Sequence, residues 1–519
     1  MAAVFKSNGI TRLPAKKEHT VVTLSKSKLL AFRQCPKKLW LELHGPKQQY
    51  SAATRASFAV GNQVGDIARQ LYDPKGVGQL LIPKEEGYPA ALARTTQLLT
   101  AAQPIFEATL SAGGALALAD VMLASRKGGK RVWRMIEVKS STEVKDCYRD
   151  DVAIQAFVAR KAGVSLTSVS LAHIDSQWVY PGGNDYQGLL VENDLTAEAF
   201  GREAEVKDWI AEAQVISRKR VAPVMSTGRH CNDPNECGFL EYCQSKEPQF
   251  QYPVKWLPRV QTKALKALIE GDGVADMRDV PDTLLNERQL RVKSHTLSGS
   301  IYFDAPNATA DLASHKLPIY FLDFETIMFA VPIWKGTRPY QAIPFQFSSH
   351  RLSRTGKLEH QSFIDLSGGD PSKAFAVALI AACGESGSIF AYSASFEKTR
   401  IKELADRFPR LKRSLLAINE RVVDLRRIAE QRYYHPDQKG RWGIKKVLPT
   451  VFPDLRYDAL NGVQDGGMAM EAYLEAVSPA TPAPRKAEIE EQLVNYCGLD
   501  TYAMVKLWQF FTGRNDLVL

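Results

Sequence analysis

The chain has no apolar run near the ~20 residues that a membrane-crossing helix needs, so no membrane partner is expected. Met1 to Thr20 carries basic residues but no apolar stretch of the secretory kind, and a cytoplasmic location is expected. There is no self-similarity at a solenoid period. There is also no G-x-x-x-x-G-K-[ST] phosphate loop, so a P-loop motor is excluded and any unwinding would need a helicase partner. Cysteine is scarce, with seven in 519 residues, and a cytosolic chain is not expected to spend them on a disulfide framework. What is present is 45% hydrophobic residues, enough for packed cores, over a length that suggests two to four domains. The formal charge of +10 leans towards a polyanionic partner, because each neutralised phosphate releases counterions. A mild basic excess also serves plain solubility.

Two stretches concentrate the chemistry of the first half. Ala117-Leu-Ala-Asp120-Val-Met and Trp133-Arg-Met-Ile-Glu137-Val-Lys139 read as short strands, with Gly128-Gly129 as the hairpin signal between them. An unpaired charge in a buried strand is costly, so Asp120, Glu137 and Lys139 need a partner. Hard carboxylate oxygens suit Mg²⁺ or Mn²⁺. A lysine beside such an ion can hold a water or a phosphate oxygen, which suits phosphodiester hydrolysis. The bland alternative is a surface hairpin with an ordinary Glu-x-Lys pair.

The Asp120…Glu137-Val138-Lys139 pattern resembles the D…E-x-K core of the RecB-like branch of PD-(D/E)XK nucleases. Asp151-Val-Ala-Ile-Gln155, on the helix that follows, is similar to that branch's Gln-bearing motif. The resemblance implies a restriction-endonuclease-like α/β core. Asp120, Glu137 and the Val138 carbonyl would hold the metal, Lys139 would position water, and Gln155 would orient Lys139 or the substrate. Ala119 stands where the eponymous Pro would be. Gly65, in Gly61-Asn-Gln-Val-Gly65, stands where many members carry a metal-ligating His, so that ligand is either missing or supplied from elsewhere, with Asp66 on the same helix as a candidate.

Four of the cysteines bracket this core: Cys35 before it, and Cys231, Cys237 and Cys243 after it. Thiolates suit Zn²⁺ or an iron–sulfur cluster, and the C-x5-C-x5-C spacing is loose for zinc. One Cys before and three after resembles the iron–sulfur RecB-like nucleases of the AddB and CRISPR-adaptation type, which implies a [4Fe–4S] cluster, with zinc as the alternative. Cys147, Cys383 and Cys497 read as structural thiols. A helix is expected over Lys26 to Leu43. Its Arg33, Lys37 and Lys38 would meet DNA phosphate or form a solvated face, and Arg218-Lys-Arg220 has the same two readings.

Residues 251–316 read as a helical connector. Thr262 to Glu270, the Gly271-Asp-Gly273 turn and a second helix start at Pro281 are faintly like a helix-hairpin-helix. A further domain is expected from Leu317. Asp323 and Glu325 lie two apart in an apolar strand, so both point to one face and repel unless a cation lies between them. They resemble the D-x-E motif of DnaQ-like, RNase H-fold exonucleases, in which four carboxylates hold two metal ions. Tyr392-Ser-Ala-Ser-Phe-Glu397 resembles the second motif, with Ser393 for Asn and Glu397 for Asp. Tyr496-Cys-Gly-Leu-Asp500 resembles the third motif of the tyrosine-type subgroup. The resemblance implies that Asp323, Glu325, Glu397 and Asp500 bind metal and that Tyr496 orients the attacking water. Asp424 is a candidate accessory carboxylate, and Gly443-Ile-Lys445-Lys446 resembles the lead into a helix facing nucleic acid.

The expected architecture is thus α/β and multidomain: a tail over 1–20, a RecB-like nuclease over 21–250, the connector, and an RNase H-like exonuclease over 317–519. The expected function is metal-dependent DNA end processing in repair, recombination or anti-phage defence, with DNA favoured over RNA. The alternatives are an RNA nuclease, or a degenerate nucleic-acid-binding scaffold in a repair or defence complex.

Overall fold

The structure, a computed structural model, describes residues 23–48 and 52–514; the expected N-terminal tail over 1–20 lies outside them. The fold is mixed α/β in two compact units. The first takes the described residues up to Asp175 and again Tyr186–Glu247, and the second takes Ser176–Asp185 and everything described from Pro248. Among the described residues no helix is long and apolar enough to cross a membrane.

The first unit is built on one sheet. Its strands run in the order Gln79–Leu80, Ile105–Ala112, Ala115–Lys127, Lys130–Lys139, Leu166–Ile174 and Leu190–Asp194. Gly128 and Gly129, at φ 57° and 75°, close the hairpin between the third and fourth, a conformation that β-branched or bulky residues resist. Lys130–Lys139 and Leu166–Ile174 are parallel, joined by the helix Asp146–Lys161. That helix buries Asp151 to Ala159 without a break, so any polar side chain on it must find a partner inside the unit.

The expected single helix over Lys26 to Leu43 is two helices, Lys26–Gln34 and Pro36–His44, parted at Cys35. The cause is Pro36, which pushes the residue before it out of the helical region; Cys35 is extended, at φ −164° and ψ 120°.

The second unit holds a five-stranded sheet, in the order Leu358–Ile364, Ile343–Leu352, Ile319–Ile327, Ile389–Ala391, Val422–Asp424. The first three strands are antiparallel neighbours, and the last two run parallel to Ile319–Ile327. The strand Ile319–Ile327 is buried on both faces. Tyr320, Leu322 and Phe324 enter one core, and Ile319, Phe321 and Ile327 enter another with Trp508 and Leu493 of the last helix, Ala483–Thr512.

The expected connector is part of this second unit. Val254, Leu265, Met277, Val292 and Leu312 share the core of Phe321 and Trp508. The hairpin-of-helices reading is corrected. After the helical turns ending at Gly271, Asp276 is extended and pairs with Pro253, and Met277 and Val280 are buried. Only single 3₁₀ turns follow until the helix Glu287–Ser298. Apolar Met277 and Val280 draw the chain into the core where a hairpin would turn it back. Ser176–Asp185 joins the same unit through Tyr180, whose N–H donates to the Thr337 carbonyl at 3.0 Å.

Candidate metal centres

In the first unit the expected residues meet at one end of the sheet. Glu137 and Lys139 are two apart on their strand, and the Lys139 ammonium donates to Glu137 Oε1 at 2.6 Å. Asp120 Oδ2 accepts the Val138 N–H at 2.7 Å. Two residues that sequence reasoning passed over complete the group. Asp151, one turn before Gln155, accepts from Lys139 at 2.6 Å. Lys26, the first residue of its helix, reaches Glu137 Oε1 at 2.9 Å and Asp151 Oδ1 at 3.0 Å. The expected role of Gln155 changes. Its amide N–H donates to Glu137 and, at 2.9 Å, to Asp151, so it fixes the carboxylates that hold Lys139 rather than Lys139 itself. Gln155 Oε1 is buried with no partner.

Burial raises the Glu137 carboxyl to about 7, with Asp120 and Asp151 adding to it. For Asp151 burial acts in the same sense, but the two lysines outweigh it and hold this carboxyl low. Burial and Glu137 push up a further carboxyl, that of Glu107. Glu107 sits at φ 56° between Phe106 and Ala108, whose cross-strand partners Val121 and Ala119 flank Asp120. A bulky residue at positive φ is uncommon. The signal for it was legible: Ile105-Phe-Glu107-Ala-Thr-Leu carries an acid in an apolar strand, as Asp120 does. The candidate substitute ligand, Asp66, is corrected. It is exposed and pairs with Arg69 on its own helix. A Cβ at Gly65 would meet nothing nearer than Arg69 at 4.0 Å.

Removing one member of a buried ion pair costs ~3–5 kcal/mol, because the remaining charge is stranded. Lys26→Met is therefore expected to lower the stability of the metal-free protein by about 3 kcal/mol on that basis, read as a lower denaturant midpoint. An unchanged midpoint would show that Lys139 alone balances Glu137 and Asp151.

The four bracketing cysteines line one pocket with Lys37, Lys38, Leu41 and Phe239. Cys35, Cys231 and Cys237 are buried, and Cys243 is half-buried. Cys231 ends a 3₁₀ turn, and its carbonyl accepts the Cys237 N–H at 2.7 Å, so the loop folds the thiols inward. Burial, and after it the neighbouring thiols, push Cys237 and Cys243 up. A Zn²⁺ tetrahedron with 2.3 Å bonds would set its sulfurs about 3.8 Å apart. Among the described residues, the one set of three ligand atoms lying within 4.8 Å of one another is elsewhere. No three of the four sulfurs lie within 4.8 Å of one another. Of the nearby basic residues, Arg33 donates to Asp150 at 3.0 Å and lies over Trp209, so it is spent on packing.

In the second unit Asp323, Glu325, Glu397, Tyr496 and Asp500 line one pocket. Strand periodicity puts Asp323 and Glu325 on the face that the last helix covers, and Tyr496 and Asp500, four apart on that helix, share its inner side. Burial, and then mutual repulsion, hold Asp323 well above the usual carboxylate range. The same two causes raise Glu325 to about 8. Asp500 rises to about 6 by burial, tempered by hydrogen bonds from Tyr457 and Tyr496 and by Lys445. Burial raises Glu397 to about 8, and its Oε2 is buried without a partner.

Three neighbours were not foreseen. Tyr457 donates to Asp500 Oδ1 at 2.6 Å. Lys445, expected only to lead into a helix, donates to the Tyr496 hydroxyl at 3.2 Å and to the Gln464 carbonyl at 2.6 Å. Cys497 was read as structural, yet its thiol lies 3.8 Å from Asp323 Oδ2. Asp424, the expected accessory carboxylate, is an N-cap. It accepts the N–H groups of Arg426 at 3.1 Å and Ser393 at 3.0 Å. That second bond pins Ser393 at φ 73°, a region Asn enters more readily than Ser.

Residues 320–443 match a family described as a domain of unknown function, DUF2779. That span holds Asp323, Glu325 and Glu397 and ends before Tyr496, Cys497 and Asp500. No curated protein matches the chain.

Proposed function

We propose that this chain is a cytoplasmic, metal-dependent nuclease that processes DNA ends, with one hydrolytic site in each unit and an iron–sulfur cluster on the four bracketing cysteines. In this reading the first unit is a RecB-like PD-(D/E)XK nuclease and the second a DnaQ-like exonuclease. One observation carries it. Asp323, Glu325, Glu397 and Asp500, scattered over the sequence, face one pocket where only Lys445 offers balancing charge. Such a set retains protons or takes a cation. The orphaned, buried Glu397 Oε2 fits the second course. In the first unit Asp120, Glu137, Asp151 and Glu107 face two lysines, an excess of acid that a cation would balance.

Bound Mg²⁺ or Mn²⁺ would supply a Lewis acid and an activated water. The chain's own residues do the rest. Lys139, held between Glu137 and Asp151, presents its ammonium where charge develops on the phosphate. Gln155 locks the two carboxylates. In the second unit Tyr496, held by Lys445, offers its hydroxyl to the attacking water, and Tyr457 fixes Asp500. The groove that Lys139 lines carries Lys28, Lys38, Lys145 and Arg229 among carboxylates, with Lys28 paired to Glu42 and Arg229 to Asp233; Lys38 and Lys145 are the cations proposed to meet a phosphate backbone. DNA is the proposed substrate, with RNA as the alternative that the same assay decides.

The test is cleavage of end-labelled single- and double-stranded DNA, and of matching RNA, by anaerobically purified protein. Cutting of DNA with Mn²⁺ that EDTA stops is expected. Binding without cutting under any divalent metal would replace the nuclease with a nucleic-acid-binding scaffold. For the cluster, Cys231→Ser is expected to remove the broad visible absorbance and the bound iron. Zinc found in its place, with no iron, would overturn the cluster assignment.

A further inference from the structure

Two of the carboxylates that line the second unit's pocket, Asp323 and Glu325, also lie against a buried thiol behind it. Ligand atoms of Asp323, Glu325 and Cys497 all lie within 4.8 Å of one another. The Cys497 thiol is fully buried and donates to Asp323, to its carbonyl at 3.7 Å and to Oδ2 at 3.8 Å. A metal with a ~2.3 Å bond to sulfur and a ~2.1 Å bond to carboxylate oxygen, at a tetrahedral angle, sets those two atoms about 3.6 Å apart. The observed separation is close to that. A second, separate feature lines the pocket that Asp323 and Glu325 share: Glu397 is 3% exposed, and its Oε2 has no partner. Asp323, Glu325 and Cys497 make a mixed oxygen–sulfur donor set, and the unpartnered Glu397 carboxylate lines the adjoining pocket. Oxygen-only sites suit Mg²⁺, and thiolate draws softer ions.

We propose that Cys497 is a metal ligand of the second unit's site, and that it shifts the site's preference from Mg²⁺ towards thiophilic divalent ions of the Zn²⁺ class. This deepens the metal-site reading of that unit and rests on it. On binding, the Cys497 S–H bond is replaced by a sulfur–metal bond, and the proton leaves to solvent. Asp323 and Glu325 contribute oxygen. Cys383, equally buried, is the natural control, because it packs among apolar side chains of a different core.

Cd²⁺ serves as the probe, because its bond to thiolate gives an ultraviolet charge-transfer band. The full-length protein, with its four-cysteine site already loaded, is titrated with Cd²⁺ in the absence of DNA. Wild type and Cys383→Ser are expected to gain one saturable increment of that band. Cys497→Ser should lose the increment, and its Cd²⁺ affinity should fall by at least the ~10–100-fold that loss of even an outer partner of a ligand costs. Asp323→Asn should keep the sulfur but bind Cd²⁺ more weakly by a similar factor. An increment unchanged in Cys497→Ser, or absent from wild type, overturns the proposal. Should Cys497→Ser fail to fold, Asp323→Asn decides, and unchanged affinity there is equally fatal. The readout uses no nucleic acid, so failure of cleavage and failure of thiol ligation are told apart.

Discussion

Asp323→Asn is expected to abolish the second unit's trimming of DNA and, without metal, to make the protein more stable at pH 8 than wild type. The two effects share a cause. Asp323 sits at the centre of the carboxylate group, repelled by Asp500, Glu325 and Glu397. Glu325 and Glu397 are raised from 4.5 to about 8 in the folded chain. The folded state thus keeps protons that the unfolded state has released. Such a contribution to stability is complete below about pH 4.5 and is lost as pH rises through 8. Wild type without a cation should therefore weaken between those limits. Asn relieves part of the repulsion, so the decline should be shallower. A divalent ion does for wild type what Asn does for the variant: at 100 times its dissociation constant it adds about 2.7 kcal/mol. Mn²⁺ should raise the midpoint of wild type at pH 8, much less at pH 5, and hardly at all in Asp323→Asn. Loss of several kcal/mol of transition-state stabilisation corresponds to roughly 10³-fold or more in rate. Thermal melts at the two pH values, with and without Mn²⁺, check this. A metal response in the variant equal to that of wild type would contradict it.

Lys139→Ala is expected to reduce cleavage by the first unit about 10²–10³-fold, the usual cost of one donor aimed at developing charge. Binding should change little. Lys139 lines the groove but its ammonium is shared between Glu137 and Asp151, while Lys38 and Lys145 line the same groove. Lys139→Arg should not rescue, because a planar fork cannot replace a compact ammonium held at 2.6 Å by two carboxylates. Single-turnover cleavage beside a binding isotherm separates the outcomes. A matched loss of both would mean that Lys139 acts as a groove cation.

Much of this was legible in the chain because charge in an apolar strand has few uses. Asp120, Glu137, Asp323 and Glu325 declared themselves that way, and so did the Gly128-Gly129 hairpin. Alternation and turn chemistry are local, and local rules reach them. Lys26 and Asp151 escaped for the opposite reason. Each sits on a helix, where a lone charge is ordinary, and only the tertiary fold brings Lys26 to a strand 111 residues away. Cys497 escaped because a thiol beside Tyr496 reads as a small apolar residue until Asp323 is placed against it. The helix expected across Cys35 failed on a rule that was available, the restriction that Pro36 places on its neighbour. The connector failed on burial: residues 251–316 looked like spacer, but Met277 and Val280 were core.

The central claim is that two separate metal-assisted sites cut nucleic acid. Product ladders from end-labelled DNA with Mn²⁺ test it most directly, with wild type run beside Lys139→Ala, Asp323→Asn and the double variant. The account predicts that each single variant loses a different part of the ladder and that the double variant leaves the substrate whole. A wild-type ladder from the double variant would contradict it, because the cutting would then belong to neither site.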